Sequence, residues 1–209
     1  MHVTAIIPAY NEEKTVGQVV EVVKAVPFIA EVIVVCDGCT DSTATVARKA
    51  GARIINLTHN LGKGGAMLMG ISHAHTEAIL FLDADLIGLR VKHVVDLLEP
   101  VLLDGASMSI GVFANGRLAT DLAQVVAPYL SGQRCILKSI MQEIPGADIS
   151  RFGVEMALTT FVYQQKLKVV KVPLPNMTHV MKEEKLGLVR GVGARMRMYW
   201  EIAKCMVRS

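Results

Sequence analysis

The sequence predicts an α/β fold in which a mainly parallel, Rossmann-like sheet is flanked by helices, and three observations carry that reading. Short apolar runs recur at Val3-Thr4-Ala5-Ile6-Ile7, Val32-Ile33-Val34-Val35, Arg53 to Leu57 and Ala78-Ile79-Leu80-Phe81-Leu82, each the length of a buried strand. Stretches with helical periodicity separate them, the pattern of right-handed crossovers between parallel strands. Polar side chains then gather where strands end. Tyr10, Asp37, Lys63, Asp83 and Asp85 all fall at carboxyl ends, where open α/β sheets hold their ligands.

Taken in order, the first strand runs into Pro8-Ala9-Tyr10-Asn11-Glu12-Glu13. Asn11 reads as an N-cap and the two glutamates as first-turn residues, and Val16, Val19, Val20 and Val23 recur at helical spacing. The second strand meets the turn Asp37-Gly38-Cys39-Thr40-Asp41-Ser42-Thr43, and the following helix closes near Gly51. The third leads through Asn60-Leu61-Gly62-Lys63-Gly64-Gly65 into a helix carrying Met67, Ile71 and Ala74. The fourth ends in Asp83-Ala84-Asp85, and a fifth is expected from Ala106 to Phe113.

With 209 residues, 52% hydrophobic and 20% charged, the chain can bury one sizeable core, so a single domain is expected. Its parts are a first half at 1–87, a second half at 88–181 and a basic C-terminal helix at 182–209. No apolar stretch approaches the roughly 20 residues of a membrane span, and the N-terminus enters a strand without a signal peptide, so a cytoplasmic protein is expected. After Met181 there are seven Lys or Arg against three Glu, which places the excess positive charge in the tail. There Val189, Val192, Met196, Tyr199, Ala203 and Met206 alternate in steps of three and four, with Arg190, Arg197 and Lys204 on another face. Such a helix can form a homodimer contact, lie on the anionic inner face of a membrane, or pack on its own sheet. No nucleic-acid partner is expected.

Two carboxylates one residue apart at a sheet edge can share a divalent cation and its bound phosphates, and hard oxygen ligands favour Mg²⁺ or Mn²⁺. Lys63 stands between Gly62 and Gly64 without the spacing of a nucleotide-hydrolysing P-loop. The C-x-x-C of Cys36 and Cys39 invites a redox or zinc reading. Cys135 and Cys205 stand apart from it, so small-residue packing is the better account. His59, His73, His75 and His93 read as ordinary residues. Gly116-Arg117 with Thr120 can bind a phosphate through guanidinium, hydroxyl and backbone N–H groups, and Ser131-Gly132-Gln133-Arg134 offers a second turn of that kind.

The segments "IIPAYNEEKTV", "VIVVCDGCTDST", "NLGKGGAM" and "ILFLDADL" resemble, in order and spacing, the nucleotide-sugar-binding half of family-2 glycosyltransferases with the GT-A fold. The later "YLSGQRCI", "GVEMALTTFVY" and "THVMKEEKLG" resemble the acceptor side of soluble or peripheral members, including those that make glucosyl-3-phosphoglycerate or polyprenyl-phosphate sugars. The resemblance implies a donor site of Pro8, Tyr10, Glu12, Asp37, Lys63, Asp83 and Ala84, with Asp37 receiving a hydrogen bond from the nucleobase. It implies that Asp85 and His179 hold the metal and that Asp85 and Glu155 serve catalysis. An acceptor site of Arg117, Thr120, Gly132 and Arg134 follows, with Glu155, Glu143 or Asp148 as base where the acceptor is a hydroxyl.

The implied activity is transfer of glucose or mannose from a UDP- or GDP-sugar to a phosphorylated acceptor. A soluble, phosphoglycerate-like acceptor is preferred over a polyprenyl phosphate at the membrane. A sugar nucleotidyltransferase is disfavoured because the first strand runs into Pro8-Ala9-Tyr10-Asn11-Glu12 in place of a Gly-rich, Arg-containing loop.

Overall fold

Burial alternates along the strands, and this decides the architecture. In β1 (Val3–Ala9) the odd residues Val3, Ala5, Ile7 and Ala9 join one apolar layer, while Ile6 joins the other. In β2 (Ile29–Asp37), Val32, Val34 and Cys36 face the first layer, with Ile33 and Val35 in the second. β4 (Ala78–Phe81) divides in the same way. A strand buried on both faces needs helices on both. α1 (Val16–Lys24), α2 (Thr43–Lys49) and α4 (Val91–Leu102) contribute to the first layer, and α3 (Gly62–His73), α5 (Lys138–Glu143) and α6 (Gly153–Gln164) to the second.

The computed structural model describes residues 1–113, 131–144 and 153–179. With β3 (Arg53–Leu57), β6 (Met108–Phe113), β7 (Arg134–Leu137) and β8 (Val169–Leu174), the main sheet has the order β3-β2-β1-β4-β7-β6-β8. β7 runs antiparallel to both β4 and β6, and the other described pairings are parallel. β7 therefore enters the sheet at the edge where β4 leaves it: Arg134 pairs with Phe81. Pro8 disturbs nothing, because the β1–β4 ladder ends at Ile6 and Phe81, short of the position where an N–H would be missing.

The first four strands coincide with the expected runs, and the predicted fifth becomes β6. Two short strands were not foreseen: β5 (Leu86–Ile87) and β9 (Thr178–His179) form a separate pair. Asn11 is not an N-cap. It sits at φ 56, and α1 begins only at Val16, after Thr15. Its Oδ1 instead accepts the Thr40 N–H at 2.9 Å, a local use of a short polar side chain in the left-handed region. Residues Met1–Thr178 form one compact unit and a second begins at His179. Among the described residues no helix is long and apolar enough to cross a membrane.

Candidate active site

Two loops at the carboxyl edge of the sheet are stapled together. The Thr43 hydroxyl accepts the Glu12 N–H at 2.8 Å, and Asp41 accepts both the Thr43 hydroxyl at 2.5 Å and the Glu13 N–H at 3.2 Å. In return Glu13 accepts the Ser42 N–H at 2.9 Å. Burial alone would raise the Asp41 pKa, but the bonds from Thr43 and Glu13 outweigh it and hold the carboxyl below its ordinary range. The stabilisation is thus present at neutral pH and fades as pH falls through the folded-state value. Tyr10, 52% exposed, stands at the open end of this bracket.

Asp37 lies 4% exposed at the end of β2, and its Oδ1 accepts the Leu61 N–H at 2.7 Å. It thereby ties the loop before α3 to the strand end. The next residue must be glycine: Gly38 has φ +72, and a Cβ there would lie 2.9 Å from the Asn60 nitrogen.

The cysteines belong to the packing of this corner. Cys36 is buried, and burial together with the neighbouring Cys39 pushes its thiol up to about 12. Cys39 donates to the Ala9 carbonyl at 3.3 Å. Redox exchange and zinc binding need thiolates, which the raised Cys36 pKa disfavours. Cys36→Ser with Cys39→Ser is therefore expected to keep turnover within a few-fold of wild type, with no response to reductant. Activity that tracked oxidation state, or stoichiometric zinc in the purified protein, would overturn that expectation.

The chemistry-bearing centre is an ionic cluster drawn from four distant segments. Lys63, in the first turn of α3, places Nζ 2.5 Å from Asp83 Oδ1 and 2.7 Å from Glu155 Oε1. Gln133 Nε2 donates to the other Asp83 oxygen at 2.7 Å. Gly132 closes the wall: a Cβ there would lie 2.5 Å from both Asp83 oxygens and from Lys63 Nζ. Burial works to lower the Lys63 pKa, but the Asp83 and Glu155 carboxylates more than offset it and hold the ammonium well above the ordinary lysine range. Its contribution to stability is accordingly present through neutral pH and is lost only as pH rises through that raised value.

Asp85 lies half-buried immediately before β5, and β5 pairs with β9, the strand that contains Thr178 and His179. Gly88 shows how closely the chains approach, since its φ is +78 and a Cβ would collide with the Asn176 carbonyl. The fold thus returns the chain near residue 178 to the segment following Asp85. Asp83 meanwhile is engaged by Lys63 and Gln133.

Of the sequence-predicted residues, the structure gathers Lys63, Asp83, Gly132 and Glu155 into one cluster, and sets Pro8, Tyr10, Glu12 and Asp37 on the adjoining strand ends and loops. Ala84 is buried beneath the turn between the two aspartates. Arg134 is different. Its side chain has no exposed surface, and its guanidinium bonds to protein groups behind the cluster, which corrects the expectation that it faces an acceptor phosphate. Arg117, Thr120, Asp148 and the basic stretch 182–209 lie outside the described residues. Sequence reasoning passed over Gln133 and Thr159. Gln133 stood inside a motif already singled out, whereas nothing in the sequence marks Thr159.

Solved structures of similar shape include glucosyl-3-phosphoglycerate synthase from Mycobacterium tuberculosis in complex with Mn²⁺, uridine diphosphate and glucosyl-3-phosphoglycerate. It matches with TM-score 0.74 at 25% identity, over 86% of this chain and 72% of that one. The same enzyme with Mg²⁺ and uridine diphosphate gives 0.73 at 25% identity, over 86% and 71%. Among curated relatives, the 4,4'-diaponeurosporenoate glycosyltransferase of Staphylococcus aureus is 39% identical over 107 residues, 49% of this chain. That match spans only 28% of the relative's length. Residues 4–147, more than half of the chain, match the profile of glycosyl transferase family 2, and the chain belongs to that family.

Proposed function

We propose that the protein transfers a hexosyl group, glucose in the first instance, from a UDP-sugar to a small phosphorylated acceptor of the phosphoglycerate type. The observation that carries this reading is the Lys63–Asp83–Glu155 cluster at the carboxyl edge of the sheet, in a family-2 chain whose fold matches an enzyme solved with exactly such a product bound. Tyr10, Glu12 and Asp37 would receive the nucleoside between the two stapled loops. Asp85 and His179 would hold Mg²⁺ or Mn²⁺, and that cation, when bound, stabilises the negative charge of the departing diphosphate.

Lys63 lies where the same charge develops. Its ammonium is kept protonated by two carboxylates, so it remains a fixed positive charge at any physiological pH. Glu155, 4% exposed, is held by Lys63 at the wall where the sugar would sit, which supports a role in gripping sugar hydroxyls. Gly132 leaves the space over Asp83 and Lys63 that any larger residue would fill. Breaking the bond between anomeric carbon and diphosphate, and forming one to an acceptor oxygen, then requires orientation and charge stabilisation above all.

A donor screen by thermal shift tests this reading. A ligand that binds only the native state at 100 times its Kd adds about 2.7 kcal/mol of stability, so UDP-glucose with Mn²⁺ is expected to raise Tm where Mn²⁺ alone does not. No metal-dependent shift with any UDP- or GDP-sugar would refute it.

A second reading keeps the sugar transfer and makes the acceptor a polyprenyl phosphate at a membrane surface; the partial match to an enzyme named for 4,4'-diaponeurosporenoate, 39% identical over 107 residues, supports only an apolar acceptor in place of a soluble one. Co-sedimentation with anionic vesicles at low salt, released as salt screens the charge, together with no turnover of soluble phosphorylated acceptors, would select it.

A further inference from the structure

Arg134 heads the large side chains with no exposed surface. A buried guanidinium ordinarily sits directly on a carboxylate, yet its hydrogen-bond partners here are neutral. Nε and Nη2 both donate to the Ser131 carbonyl, Nε at 3.1 Å, while Nη1 donates to the Glu155 carbonyl at 2.9 Å and to the Thr159 hydroxyl at 3.1 Å. Thr159 in turn donates to the same Glu155 carbonyl at 2.8 Å. Burial pulls the guanidinium's pKa down, and the charges of Glu155 and Asp83 oppose that pull.

What these bonds connect is informative. Ser131 precedes Gly132, the residue pressed against Asp83 and Lys63, and Glu155 carries the carboxylate that meets Lys63 at 2.7 Å. One side chain therefore spans both walls of the cluster from behind: the loop at 131–133 and the first turn of α6. Only a planar fork with donors pointing in two directions can do this, because a lysine offers its donors from a single point.

We infer that Arg134 is a positioning residue for sugar transfer, fixing the Gly132 loop and the Glu155 turn at the separation at which Lys63, Asp83 and Glu155 meet, without touching substrate. The inference rests on the reading of that cluster as the donor site. A displacement of about 1 Å in such a site can cost two orders of magnitude in rate, and Arg134 holds the two backbone segments that set the distance.

Arg134→Lys keeps the charge and loses the fork. It is expected to lower kcat at least tenfold, while UDP affinity by calorimetry stays within threefold, since the loops at 9–13 and 37–43, where the nucleoside would sit, make none of Arg134's hydrogen bonds. Thr159→Val, which removes one partner of the fork, is expected to lower kcat several-fold in the same pattern. The double variant should lose less than the product of the two, because both act on the Glu155 carbonyl. Amide hydrogen exchange should quicken at 131–133 and 153–159 together, with β1 to β4 still protected.

A folded Arg134→Lys with kcat within twofold of wild type, effects that simply multiply, or unchanged exchange in both segments would each overturn the inference. If Arg134→Lys does not fold, Thr159→Val carries the same test: a wild-type kcat with unchanged exchange refutes it. If the wild-type protein transfers sugar from no donor, it is the sugar-transfer reading that fails, and the exchange pattern alone decides the clamp.

Discussion

Lys63→Met should cost about 3 kcal/mol of stability and lower donor turnover roughly 10²- to 10³-fold. The stability loss arises because Asp83 and Glu155 both point at Nζ, from 2.5 and 2.7 Å, and would be left facing each other without a counter-charge. The figure sits at the low end for breaking a buried pair, since the Lys63 and Asp83 side chains remain 29% and 25% exposed while Glu155 is only 5% exposed. The rate loss arises because a fixed cation beside the leaving diphosphate stabilises charge that exists only as the bond breaks. Chemical denaturation and steady-state kinetics on the same preparation separate the two effects. Stability and turnover both within a few-fold of wild type would show that the cluster is a surface ion pair of little consequence.

The first half of this fold is readable in the sequence because parallel strands buried on both faces are nearly continuous apolar runs. On that basis β3 matches its expected run to the residue and β4 to within one, whereas β2 extends the run at 32–35 by three residues before it and two after it. The second half is not readable in the same way. β7 opens with Arg134, a residue that reads as a polar turn, and it is a strand only because it pairs with both β4 and β6. Glu155 shares the problem: its role depends on meeting Lys63 across the fold, which no local spacing records, and only the family resemblance pointed to it. Asn11 misled because N-cap chemistry and left-handed turn chemistry use the same short polar side chain. The choice between them was made by Thr40, in another loop.

Gly132→Val is expected to leave the protein folded and to reduce transfer at least a hundredfold. Any Cβ at this position would stand 2.5 Å from the Asp83 carboxylate and from Lys63 Nζ, so the side chains would have to part or the loop retreat. Lys63 can swing at its far end, but Asp83 is short and held on its other oxygen by Gln133 at 2.7 Å. Parting them breaks the cluster, and retreat moves the wall over the donor by a distance that matters in a preorganised site. Gly132→Ala should show the same loss in weaker form. Far-ultraviolet circular dichroism and Tm establish the fold, and kcat/KM for the donor reads the site. Full activity in the folded valine variant would mean that this wall lies away from the donor.

The most direct measurement is product formation from UDP-glucose and 3-phosphoglycerate with Mn²⁺, followed by mass spectrometry for wild type and Asp85→Ala. Asp85 lies at the half-buried edge of the sheet, so its removal should spare the fold. The expected result is one UDP released for each hexosyl-phosphoglycerate formed, abolished by chelation of the metal and by Asp85→Ala. Metal-independent turnover, an Asp85→Ala variant as active as wild type, or no product with any UDP- or GDP-sugar would contradict metal-assisted sugar transfer at this site.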